Sequence, residues 1–129
     1  MASIREGSVI LFENAEGQLA FQLHDDRPEV MYPNHWGVFG GWQEADESPE
    51  QAIVREIKED LDLDLDLARL RYLRGYRDGD VISHVFYYRV ADEFRKAVLS
   101  EGQRLEFMRF SDLETRKVVP RHRSIVAWY

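Results

Sequence analysis

Glu56, Glu59 and Asp60 stand at i, i+3 and i+4 in the helix-like stretch REIKEDL. On a helix such neighbours have Cβ atoms roughly 5–6 Å apart, and like charges there cost about 0.2–0.5 kcal/mol per pair. A solvated acidic face is the plain reading of this cluster. The sequence GGW (40–42) lies just upstream and can bring bare backbone close to the same place. Carboxylate oxygens together with a backbone carbonyl are the ligands a hard cation such as Mg²⁺ accepts. A bound cation would offset the repulsion, and Mg²⁺ commonly works on substrate phosphates and activates water.

These carboxylates need a helix to gather them. SPEQ (48–51) supplies a Ser N-cap, Pro at the first helical position and Gln at the third. Acids in the first turn suit the helix dipole. Val54, Ile57 and Leu61 share one side, with Ile53 at its margin, and that stripe is expected to face the core. In LDLDLDL (61–67) the acids recur every second residue, which is strand spacing, with Leu63, Leu65 and Leu67 on one face and a solvated row of aspartates on the other. Asp62, Asp64 and Asp66 imitate the first ligands of an EF-hand loop. Leu67 and Leu73 occupy the positions where that loop needs Gly and Glu, so the motif is rejected.

Around the helix the chain reads mainly as strands. Alternation predicts strands at 8–13 and 18–23, joined by the turn-like NAEG. The stretch 25–36 carries two prolines and no period, and reads as a loop. WGVFGGW (36–42) reads as a short strand running into glycines, 80–90 and 104–110 as further strands, and 71–76 as one broken by Gly75. The C-terminal stretch reads as a helix entered through Pro120. The pattern suits a mixed sheet between helices, an α/β fold formed as one domain over residues 1–129.

With 44% hydrophobic and 32% charged residues the composition is that of a soluble globular protein. The absence of cysteine excludes disulfides and thiolate metal sites and fits a reducing compartment; a cytoplasmic location is the expectation. No signal peptide and no membrane span are read in the sequence. The net charge is −7, and residues 44–66 hold ten acids against two bases, a local balance of −8 that leaves the remainder near +1. One concentrated patch favours cations, or ligands that a cation can bridge to. It disfavours direct contact with nucleic-acid phosphates.

The spacing resembles that of the Nudix hydrolase box, G-x5-E-x7-R-E-U-x-E-E-x-G-U, where U is a bulky aliphatic residue. Gly41, Glu47, Arg55-Glu56-Ile57, Glu59-Asp60 and Leu63 keep the frame over residues 41–63 without insertion. Two positions depart from it: Asp60 stands for Glu and Asp62 for Gly, while Asp46 replaces a Gly commonly seen before Glu47. The segment 100–110 is also similar to one that supplies a further metal-binding glutamate in MutT-like members.

The resemblance implies a Nudix-type α/β/α sandwich and Mg²⁺- or Mn²⁺-dependent hydrolysis of a diphosphate linkage in a nucleoside diphosphate derivative. It implies Glu59 as a principal metal ligand and Glu56 as a ligand or as the group that orients and deprotonates water. Asp60 matches a second metal glutamate, and Gly40 the residue whose carbonyl reaches the metal. Glu101 matches the ligand from outside the box, with Glu106 as the alternative. Glu47 and Arg55 match a pair that braces loop against helix. The shorter Asp60 bears on the number of metals, and Asp62 and Asp46 on backbone strain, since Asp tolerates the left-handed region better than most residues. These substitutions also admit a second reading, a catalytically weak or inactive Nudix-fold domain that senses a nucleotide.

Substrate contacts beyond the box carry no motif. Trp36 and Trp42 flank the glycines and would either stack on a base or serve packing; His84 and Arg121 are further candidates. The basic group Arg116, Lys117, Arg121, His122 and Arg123 fits either phosphate contact or a solvated helix face. The expected partner is a small nucleotide, with the protein a monomer or homodimer.

Overall fold

The computed structural model describes residues 3–92, 94 and 102–129. Seven strands form one mixed sheet: β1 (Arg5–Glu13), β2 (Leu19–Leu23), β3 (Trp36–Gly37), β4 (Phe39–Trp42), β5 (Arg71–Asp78), β6 (Val81–Arg89) and β7 (Arg104–Met108). Helix α1 (Pro49–Leu61) covers one face, and a 3-10 helix (Phe110–Thr115) with α2 (Pro120–Trp128) covers the other. The chain is therefore the α/β/α sandwich that the sequence pattern predicts.

The central strand explains its own composition. VILF in β1 is buried throughout because both faces are covered. Val9 and Leu11 join the core beneath α2, while Ile10 and Phe12 join the core beneath α1. On one edge β1 runs parallel to β6 over its whole length. On the other edge it meets two partners: β4 along Gly7–Ile10, and β2 only at Glu13↔Leu19. The β1–β2 hairpin thus opens into a fork. Its turn is held by the Asn14 carboxamide, whose Oδ1 accepts the N–H groups of Glu16 and Gln18. The segment 36–42 bridges the fork, pairing with β2 through β3 and with β1 through β4.

Helix α1 starts as expected. The Ser48 Oγ accepts the Gln51 N–H at 3.1 Å, and Gln51 Oε1 accepts the Ser48 N–H at 2.9 Å. It ends on Asp62 in the left-handed region (φ 53°), and Asp46 sits there too (φ 66°). Its buried face is centred on Ile53 and Ile57 rather than on Val54, which is only half-buried; Asp60 and Leu61 are buried beside them. The expected acidic face is therefore split, with Asp60 turned inward.

Other expectations are corrected. LDLDLDL forms no strand: 62–66 runs without a ladder, because no neighbouring strand offers it backbone partners. The alternation still sorts burial, with Leu63 buried, Leu65 half-buried and the aspartates exposed. Leu67 is exposed instead of sharing that face. WGVFGGW is two strands rather than one, since it serves both arms of the fork. β5 runs unbroken through Gly75, which pairs with His84; the irregularity lies between Tyr72 and Arg74. β7 stops at Met108, where the 3-10 turn takes over. No helix among the described residues is long and apolar enough to cross a membrane.

Candidate metal and nucleotide site

The fork delivers glycine backbone to the acidic helix. A Cβ on Gly41 would lie 2.3 Å from the Glu56 Cδ and Oε1 atoms, so the Glu56 carboxylate rests directly on bare backbone. At Gly40 (φ 156°) a Cβ would meet the Ser8 carbonyl at 2.1 Å, which rules out any side chain there. Glycine is thus required at Gly40 by the neighbouring strand, and at Gly41 it lets the Glu56 carboxylate lie against the backbone.

Arg55 organises the acids. Its Nε donates to Glu47 Oε2 at 2.6 Å and its Nη2 to Glu47 Oε1 at 3.0 Å, a bidentate pair. Nη2 also donates to the Trp42 carbonyl at 3.1 Å, tying helix to β4. Nη1 donates to Glu56 Oε1 at 2.9 Å and to Glu59 Oε2 at 3.3 Å. The guanidinium hydrogen bonds hold the Glu47 carboxyl below the usual carboxylate range, and Glu47 in turn pushes the Arg55 pKa up.

Gly40, Gly41, Glu56 and Asp60 line a cavity of about 670 Å³, together with Arg5 and His24. A smaller recess of about 160 Å³ shares the strand Gly40–Trp42 and ends on Ser83, Arg121 and His122. Asp60 is 4% exposed. The Glu59 side chain is 56% exposed and is held outward by Arg55. Among the described residues no three acidic or histidine side chains stand close enough to enclose a cation. Two carboxylates and backbone on one cavity wall nevertheless match a hard divalent cation that keeps some water and takes substrate oxygens as ligands. Glu101 lies outside the described residues. Glu106 is engaged with Arg116 at 3.3 Å.

The remaining candidates separate. Trp42 and Arg121 reach the recess. Trp36 does not line either space: it is 6% exposed in the core beneath α2, with Arg116 5.2 Å from its ring centroid. His84 lies on the sheet face opposite Ser83, where its Nε2 meets Glu6 Oε1 at 2.8 Å and its Nδ1 meets the Tyr72 hydroxyl at 2.9 Å. Of the basic group only Arg121 and His122 line the recess; Arg123 donates to the Leu113 carbonyl at 2.6 Å. His122 is buried, and its Nδ1 accepts the Val38 N–H at 3.1 Å; burial, with Arg121 and His24 nearby, pushes its pKa down to about 3.

Sequence reading missed Arg5 and His24 as lining residues and named His122 only within the basic group. His24 is held by its Nδ1, which lies 3.1 Å from the Met31 carbonyl. No spacing signal links these positions, because each comes from a different element.

The family model described as the NUDIX domain matches residues 4–129. Among curated proteins none matches the sequence. Several solved structures share the fold. A Deinococcus radiodurans protein is similar at 18% identity and TM-score 0.83, covering 96% of this chain and 82% of that one. A MutT protein from Methanosarcina mazei Go1 is similar at 17% identity and TM-score 0.77, covering 98% and 92%. A Francisella tularensis bifunctional NMN adenylyltransferase/ADP ribose pyrophosphatase, solved with AMP and an Mn ion, is similar at 16% identity and TM-score 0.76, covering 99% of this chain and 41% of that one.

Proposed function

The chain belongs to the Nudix family, and on that premise we propose that it hydrolyses a diphosphate linkage in a nucleoside diphosphate derivative with Mg²⁺ or Mn²⁺. One observation carries the reading: the glycine that opens the 41–63 frame and the frame's helical carboxylates share one cavity wall, where Gly41 backbone touches the Glu56 carboxylate and Asp60 lines the same space. Asp60 and the Gly40 carbonyl would hold the metal from the cavity wall, joined by Glu59 once it leaves its 3.3 Å contact with Arg55. When bound, it supplies charge neutralisation on the phosphate oxygens and lowers the pKa of coordinated water.

Each protein group then has a task. Water oxygen forms a bond to phosphorus while the bridging P–O bond breaks, and Glu56 takes the water proton. Arg55 fixes Glu56 Oε1 at 2.9 Å, which keeps the base oriented. Glu47 holds Arg55 in turn, so the brace acts on chemistry through one intermediate residue. The leaving phosphate departs with the bridging oxygen, giving two phosphomonoesters, or a nucleoside monophosphate and pyrophosphate from a triphosphate.

The test is product release across nucleoside triphosphates, nucleotide sugars, dinucleoside polyphosphates and ADP-ribose with Mg²⁺ or Mn²⁺, for the parent and Glu59→Gln. The parent turns over at least one of them, and the variant loses about 10²-fold or more. Equal rates defeat the assignment. Nucleotide binding by a parent without turnover supports the sensor reading instead.

A further inference from the structure

We propose that Arg5 and Arg121, held by Trp42, form a cationic wall that binds a third phosphoryl group, making nucleoside triphosphates the preferred substrate class over nucleotide sugars. This rests on the hydrolase reading above and concerns Arg5 in the same cavity and Arg121 in the recess that adjoins it along Gly40–Trp42. The two arginines are 116 positions apart in sequence and come from β1 and α2. Their guanidinium carbons lie 3.8 Å and 5.6 Å from the Trp42 ring centroid. Such contacts are favourable cation–π geometry. The indole rests over Gly7, where a Cβ would come within 3.4 Å of its Cε3 atom. Trp42 is thus packed between strand backbone and two cations. It is a positioning residue for them rather than a platform left open for a base.

Both arginines face ligand space. Arg5 lines the larger cavity, and Arg121 lines the recess that shares Gly40, Gly41 and Trp42 with it. Among the described residues neither guanidinium is paired with a carboxylate, in contrast to Arg27, Arg55 and Arg116. The Nε of Arg121 is buried and makes no hydrogen bond. A buried N–H of this kind is costly unless a ligand or water meets it.

Cavity and recess taken together are therefore bipolar. The acidic wall at Glu56 and Asp60 suits a metal-bound diphosphate. Gly41, which lies against Glu56, is followed directly by Trp42, whose side chain leaves the other face of β4, and around that indole the lining becomes cationic. Planar guanidinium forks match phosphate oxygens bidentately. A triphosphate presents anionic oxygens to both sides, whereas the sugar of a nucleotide sugar offers the two cations only neutral hydroxyls, which accept weaker hydrogen bonds.

The test compares kcat and KM for a nucleoside triphosphate and a nucleotide sugar in Mg²⁺, using the parent, Arg5→Gln, Arg121→Gln, Arg121→Lys, Trp42→Phe and Trp42→Leu. Each Gln variant raises KM for the triphosphate by about tenfold or more, the scale of a lost charge-assisted hydrogen bond, with kcat within about twofold and nucleotide-sugar kinetics almost unmoved. Arg121→Lys recovers part of the loss. Trp42→Phe retains most triphosphate affinity and Trp42→Leu copies the Gln variants. Unchanged KM values, or equal losses on both substrates, overturn the proposal. Thermal melting identifies any variant that fails to fold, and Arg121→Lys then carries the comparison. If the parent hydrolyses nothing, the hydrolase reading fails on its own, and calorimetric titration with inorganic triphosphate and Mg²⁺ decides the wall. Weaker binding by Arg5→Gln/Arg121→Gln supports it, and equal binding refutes it.

Discussion

Gly41→Ala separates the position of Glu56 from the stability of the fold. The added Cβ would lie 2.3 Å from the Glu56 carboxylate, while ordinary contact begins near 3.4 Å, so the carboxylate must retreat by about 1 Å. The obstacle is the far end of a flexible side chain, and the carboxylate can rotate away. Two small terms then oppose each other. Losing the Arg55–Glu56 hydrogen bond costs about 1 kcal/mol for a partly exposed charged pair. Replacing Gly by Ala where φ is ordinary returns about 0.4–1 kcal/mol through the unfolded chain. The net change stays within about 1 kcal/mol, or about 3–5 °C in Tm for a chain of this size. Catalysis has no such compensation, since a 1 Å misplacement of a reacting group costs about 10²-fold. The assay pairs a melting curve with kcat/KM on the best substrate of the nucleotide panel. Parent-like kcat/KM in a folded variant would refute the role given to Glu56. A Tm drop beyond about 10 °C would refute the claim that only the side chain must move.

Other expectations follow from the same geometry. Gly40→Ala, whose Cβ would meet Ser8 backbone at 2.1 Å, unfolds the chain or lowers Tm far more than Gly41→Ala; paired melting curves check the order. His122 is neutral when folded, with its pKa pushed down to about 3, so between about pH 6.5 and 3 the unfolded chain binds a proton that the folded chain does not. Stability is therefore lost as pH falls through that window, by about 2–3 kcal/mol at pH 4.5, and His122→Gln flattens the slope of denaturation midpoint against pH. The lowered Glu47 carboxyl acts in the same direction, its contribution being present above the usual carboxylate pKa and lost on acidification. Asp46→Gly relieves a left-handed Asp and raises Tm by about 1–3 °C. Asp62→Gly leaves Tm almost unchanged, because it also removes the 3.1 Å contact to Lys58.

Local rules carried most of the elements. The Ser48 cap, the Pro49 start and the end of α1 at Asp62 depend on residues within one turn of each other, and they are readable for that reason. Their spacing in the 41–63 frame also identifies Glu47 and Arg55, which the fold joins across eight positions. Period alone misled where a partner was needed. LDLDLDL has strand alternation, yet a ladder requires a neighbouring strand, and the sheet provides none. Centring the apolar stripe on Val54, Ile57 and Leu61 grouped Asp60 with Glu56 and Glu59, whereas α1 buries its Ile53–Ile57 side, where Asp60 lies three residues after Ile57.

By itself the sequence determined a helix that gathers carboxylates and a glycine pair upstream of it, because both are written in short-range spacing. Only the tertiary structure decided what faces them across the cavity. Arg5, Trp42 and Arg121 meet because the β1–β2 hairpin forks, β4 enters the fork, and α2 returns to its mouth. No local period encodes such a meeting, since side-chain direction repeats within an element and contact between elements is set by how the sheet closes.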